Sequence, residues 1–95
     1  MILDKFKLDG KVAIVTGGGR GLGKAMAIGL AQAGADIVLV GSSSAERAVE
    51  DVRATGRRVI AVKADLLEAA SIPRIVETTV KEFGRVDILV NNAGI

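Results

Sequence analysis

Four short apolar runs, each too short for a helix and each set apart from the next by a longer stretch with helical spacing, place the strongest limit on this fold. The runs fall at residues 11–16, 36–40, 58–63 and 86–90. Runs of five or six residues rich in Val and Ile, bounded by turn residues, suit strands buried on both faces. The stretches between them, 22–33, 45–55 and 71–83, carry the periodicity of helices. Strand and helix therefore alternate throughout. Such alternation predicts parallel pairing through right-handed crossovers, with helices on both faces of the sheet. The expected strand order is 3-2-1-4, so the chain changes direction between the first and fourth strands. A ligand crevice should open there, at their carboxyl ends.

Each helix predicts which of its faces is buried. In the first, Leu22, Ala25, Met26, Gly29, Leu30 and Ala33 fall on one face. Gly29 is expected to allow close packing, and Gly34 to close the helix. Ala27, Ile28 and Ala31 lie off that face, which predicts burial on more than one side. In the second, the polar turn 41–44 precedes Ala48, Val49 and Val52, which lie opposite Glu46, Arg47, Glu50 and Arg53, so one face should meet water. Ser71 and Pro73 open the third, whose Ile72, Ile75, Val76, Val80 and Phe83 form an apolar stripe ending at Gly84.

Composition narrows the function classes. The chain of 95 residues is one domain at most, 49% apolar but only 2% aromatic, the filling of a helix-covered parallel sheet. Thirteen basic and eleven acidic residues leave a net charge of +2, with no basic face to attract nucleic acid. The absence of cysteine and histidine removes disulfides, thiol nucleophiles, imidazole bases and the common zinc ligand sets. No metal site is expected. No run approaches the roughly 18 apolar residues of a membrane span, and a soluble cytoplasmic protein is expected.

The turn between the first strand and the first helix carries the chemistry. Thr16, Gly17, Gly18, Gly19, Arg20, Gly21, Leu22 and Gly23 put bare backbone where a bound phosphate would meet the positive end of a helix. The spacing G-x-G-x-x-G fails, since Leu22 and Lys24 stand where its last glycine belongs. The P-loop spacing G-x-x-x-x-G-K-[ST] runs from Gly18 to Lys24, but Ala25 replaces the hydroxyl that must bind magnesium. The spacing that fits is T-G-x-x-x-G-x-G on Thr16, Gly17, Gly21 and Gly23. It is followed by N-N-A-G at 91–94, at the end of the fourth strand.

On these two motifs the sequence resembles the short-chain dehydrogenase/reductase family. The likeness runs through all 95 residues, and segments such as Ala64-Asp65-Leu66 and Glu82-Phe83-Gly84 look like its bacterial sugar-acid branch. The resemblance implies a Rossmann-type doubly wound sheet and an oxidoreductase. That enzyme would move a hydride between NAD or NADP and the carbonyl or secondary alcohol of a sugar acid of the deoxygluconate type, with a homo-oligomer expected of the full-length protein. It also implies roles for single residues. Gly17, Gly19, Arg20, Gly21, Leu22 and Gly23 would hold the pyrophosphate and adenosine ribose. Asp65 would accept from the adenine amino group, and Leu66 would pack near the base. Asn92, Ala93 and Gly94 would line the ribose side of the crevice, while Asn91 would tie strand ends together.

Local residues speak to the choice of cofactor. An acidic residue at the end of the second strand would hydrogen-bond the 2′-hydroxyl of NAD. That position is Gly41, followed by Ser42, while Asp36 lies at the opposite end of the strand. Arg20, Ser42 and Ser43 are suited to a 2′-phosphate. The local chemistry leans to NADP, whereas the sugar-acid branch suggests NAD.

The resemblance places the catalytic Ser, the Tyr-x-x-x-Lys pair and a helix Asn after the N-N-A-G motif. The chain has no tyrosine, and none of its residues is assigned a catalytic role. The expectation is that residues 1–95 form the N-terminal, cofactor-binding part of a single larger domain. A non-catalytic dinucleotide-binding module is the alternative.

Overall fold

The computed structural model describes residues 7–17, 21–41, 43–64 and 71–91. Strands β1 (Val12–Thr16), β2 (Asp36–Gly41), β3 (Val59–Lys63) and β4 (Ile88–Asn91) alternate with helices α1 (Gly21–Gln32), α2 (Ser43–Arg53) and α3 (Ser71–Phe83). The four strands pair in parallel in the order β3-β2-β1-β4, as the alternation requires. Among the described residues, no helix is long and apolar enough to cross a membrane.

The two inner strands explain their own composition. Every residue of β1, and all of β2 except Gly41, is buried, because helices cover both sheet faces. On one face Ala13, Val15, Ile37, Leu39 and Val59 meet Ala27, Ala31, Ala45, Ala48 and Val52 of α1 and α2. On the other, Val12, Ile14, Val38 and Val40 meet Ile75 of α3, with Phe83 packed at the margin. The alanines of α1 and α2 let those helices lie close to the sheet. The longer side chains come from the strands.

Helix ends follow the sequence signals. The carbonyls at the end of α1 are satisfied by a glycine-closed turn, in which Gly34 N donates to Ala31 O at 2.9 Å and Ala35 N to Leu30 O at 3.1 Å. Leu8 N, from the segment before β1, donates to Ala33 O at 2.7 Å and covers the same end. Helix α2 carries Glu46 in its first turn and Arg53 in its last, each matched to the helix dipole. It begins two residues earlier than its pattern suggests and leaves 54–56 as a turn, where Thr55 Oγ1 donates to Val52 O at 2.7 Å. Pro73 falls in the first turn of α3, where its missing N–H has no intrahelical partner to lose.

Three expectations about helix faces are corrected. The buried row of α1 is Gly23, Ala27 and Ala31, whereas Leu22 is 64% exposed and Met26 and Ala25 also face outward. Gly29 makes no close contact among the described residues, for a Cβ built there meets nothing within 4 Å. In α3 the sheet takes the row Ser71, Ile75 and Thr79, while Ile72, Val76 and Val80 are exposed. The reason is the same in both helices. Neighbouring rows lie about 100° apart around the axis and the sheet can bury only one of them fully. The row it takes carries the smaller side chains, Gly23, Ala27 and Ala31 in α1 and Ser71 and Thr79 beside Ile75 in α3. Strand β4 also starts later than its apolar run, at Ile88, because the paired register begins with Ala13 and Ile88, and the N–H of Val12 goes to the Asp87 side chain instead of a β4 carbonyl.

Candidate functional site

The carboxyl ends of β1 and β4 lie side by side where the strand order reverses, and the described parts of the predicted site meet there. Thr16, the last residue of β1, pairs in register with Asn91, the last of β4. Its buried hydroxyl lies 3.2 Å from Val90 O and 3.1 Å from Asn91 Oδ1. A hydroxyl has one proton to donate, and either acceptor fastens the end of β1 to β4. This is the strand-tying role expected of Asn91. Gly17 N then donates to Val40 O at 2.8 Å, so the turn leaves the sheet anchored to β2 as well.

Helix α1 opens at Gly21, whose φ of +59° lies in the left-handed region that disfavours residues with a Cβ. Among the described residues a Cβ there would meet nothing within 4 Å, so the need for glycine is conformational. The first-turn N–H groups of a helix have no intrahelical acceptor and carry the positive end of its dipole. Bare backbone at such an end is what an approaching phosphate requires. Gly23, within the first turn, is buried and has no side chain to hold α1 away from the sheet. Gly17, Gly21 and Gly23 thus share the crevice end of the fold. Leu22 stands on its exposed side.

Gly19, Arg20, Ser42, Asp65, Leu66, Asn92, Ala93 and Gly94 lie outside the described residues. Gly41 ends β2 at the carboxyl edge, the position at which a ribose-reading carboxylate would stand. Asp36 is at the amino edge and is committed elsewhere. It is 3% exposed, and it accepts from Arg57 Nη2 at 3.0 Å and from Arg58 Nη2 at 2.8 Å. Burial pushes its carboxyl up, but hydrogen bonds from Arg58 and the charges of Arg58 and Arg57 outweigh this and hold it below its ordinary range.

Residues 11–95 match the short chain dehydrogenase family. The chain belongs to the short-chain dehydrogenase family. It is 52% identical over all 95 residues to the 2-dehydro-3-deoxy-D-gluconate 5-dehydrogenase of Escherichia coli, of which it covers 38%. Among solved structures, the L-sorbose reductase of Gluconobacter frateurii complexed with NADPH and L-sorbose superposes with a TM-score of 0.89. Identity there is 39%, over 95% of this chain and 35% of that one. Carveol dehydrogenase of Mycobacterium avium, in complex with NAD, gives 0.86 at 29% identity over 94% of this chain and 37% of that one. The chain thus spans well under two thirds of the length of the proteins it matches.

One supporting residue of this short-chain dehydrogenase chain escapes sequence reasoning. Asp87 Oδ2 accepts from Val12 N at 2.9 Å, and Asp87 N donates to Val12 O at 2.9 Å, which aligns β4 with β1 from the amino end. The hydrogen bond from Arg85, and then that from Val12 N, hold this carboxyl below its ordinary range. An acid inside an apolar run, between Val86 and Ile88, is the signal that marks it.

Proposed function

We propose that this chain is the cofactor-binding part of an NAD(P)-dependent oxidoreductase acting on the carbonyl or secondary alcohol of a sugar acid. The observation that carries the reading is that the end of β1, where the glycine motif begins, lies beside the end of β4 where the strand order reverses, fastened by Thr16. The sugar-acid substrate is supported by the 52% identity to a 2-dehydro-3-deoxy-D-gluconate 5-dehydrogenase.

The nicotinamide cofactor supplies the hydride chemistry when bound. The residues of this chain bind and orient. Gly17, Gly19, Arg20, Gly21, Leu22 and Gly23 hold the pyrophosphate and adenosine ribose against the amino end of α1. Asp65 and Leu66 take the adenine, and Asn92, Ala93 and Gly94 line the ribose side of the crevice. Gly41 presents no carboxylate to a 2′-hydroxyl, and with Ser42 and Arg20 this favours NADP. The proton transfers fall to residues outside 1–95, as part of the same domain.

Full-length protein, assayed for reduction of NAD(P)+ by keto-deoxygluconate and related sugar acids and for oxidation of NAD(P)H by their further-oxidised keto forms, tests the reading. Turnover of one such substrate is expected. Tight dinucleotide binding without turnover of any of them would favour a non-catalytic module instead.

A further inference from the structure

The carboxyl edge of the sheet carries a positive charge that the assigned site does not use. Lys63, the last residue of β3, pairs in register with Gly41, the last of β2. The pairs before it, Ile37 with Val59 and Leu39 with Ala61, place these alternate positions on the face covered by α1 and α2. Gly41 and Lys63 continue that row to the edge, on the side from which the glycine turn leads into α1. Lys63 is exposed there, and among the described residues it forms no ion pair.

The strand end that carries Lys63 is held on two sides. Ala64 N donates to Gly41 O at 3.3 Å, and Arg74 Nη2, from the first turns of α3, donates to Lys63 O at 3.1 Å. Adjacent strands lie about 4.8 Å apart, a gap that the four-carbon stem of a lysine spans easily. Among the described residues, a Cβ at Gly41 would meet Ala45 Cβ at 3.5 Å, an ordinary contact that leaves room above the backbone on that side.

We infer that Lys63 determines cofactor specificity, placing its ammonium over Gly41 to pair with a phosphate on the 2′-position of the adenosine ribose. The inference rests on the dinucleotide reading above and adds to it a residue. An ammonium there favours a dianionic phosphate over a neutral hydroxyl, and the missing carboxylate at Gly41 removes the group that would select the hydroxyl.

Calorimetric titration of the full-length protein with adenosine 2′,5′-bisphosphate and with 5′-AMP isolates the 2′-phosphate without recourse to turnover. The native protein is expected to prefer the bisphosphate. Lys63→Gln should cut that preference about three- to tenfold, the range of an exposed to a part-desolvated charged contact, while leaving 5′-AMP binding unchanged. Lys63→Arg should keep most of it. Lys63→Met, which retains the apolar stem, gives the same reading should the Gln variant fail to fold. An unchanged preference in Lys63→Gln or Lys63→Met overturns the role of Lys63 alone, as does a native protein that binds both nucleotides equally. Failure of the native protein to bind either nucleotide overturns the dinucleotide reading itself.

Discussion

The hydroxyl of Thr16 lies 3.1 Å from Oδ1 of Asn91, across the strand pair where the sheet reverses its order. Thr16→Val keeps the shape and removes the only proton that position offers to Asn91 and Val90. Loss of about 0.5–1.5 kcal/mol of unfolding free energy is expected, the net contribution of one part-buried hydrogen bond. Urea unfolding measures it. A midpoint equal to that of the native protein would show that the bond contributes nothing.

At the opposite edge, Asp36 makes the protein acid-sensitive. Its carboxyl is held below its ordinary 3.8 in the folded state, so it stabilises the fold at pH values above that figure. That contribution is lost as pH falls through the lower, folded value. Asp36→Asn should cost about 1–2 kcal/mol at neutral pH, kept modest because the Arg58 side chain is 66% exposed to screening water. Thermal melts between neutral pH and strong acid should show a shallower acid limb in the variant. Parallel limbs would exclude the role of Asp36.

Two glycines of one helix should respond in opposite directions. Gly29 lies on the exposed side of α1, and Gly29→Ala is expected to stabilise by about 0.5–1 kcal/mol through helix propensity. Gly34 has φ of +112°, and a Cβ there would lie 3.0 Å from Asp9 N. Gly34→Ala should therefore destabilise by about 2 kcal/mol or more, from backbone strain and the clash together. Melting temperatures of the two variants, compared side by side, check the contrast.

Lys24 of α1 and Asp51 of α2 form an ion pair with both side chains partly exposed. Lys24→Met should change stability by less than about 1 kcal/mol, and the difference should shrink further as salt is added. A larger effect that persists in high salt would mean that Lys24 acts through packing.

Much of this protein was legible in its sequence. Short Val- and Ile-rich runs alternating with amphipathic stretches determine a parallel sheet in the order β3-β2-β1-β4, because strand length and apolar period are local properties. The glycine spacing after Thr16 located the turn, since left-handed backbone at Gly21 is a requirement that only certain residues meet. What tertiary structure decided was which of two neighbouring rows of each helix went inward. Gly23, Ala27 and Ala31 won over Leu22 and Met26, and Ile75 and Thr79 over Val76 and Val80. Helical periodicity alone favours the more apolar row, and the choice falls instead to the row of smaller side chains, which lets the helix settle against the sheet. The joining of Asp36 to Arg57 and Arg58, and of Lys63 to the edge at Gly41, likewise exists only once strands far apart in the chain lie side by side.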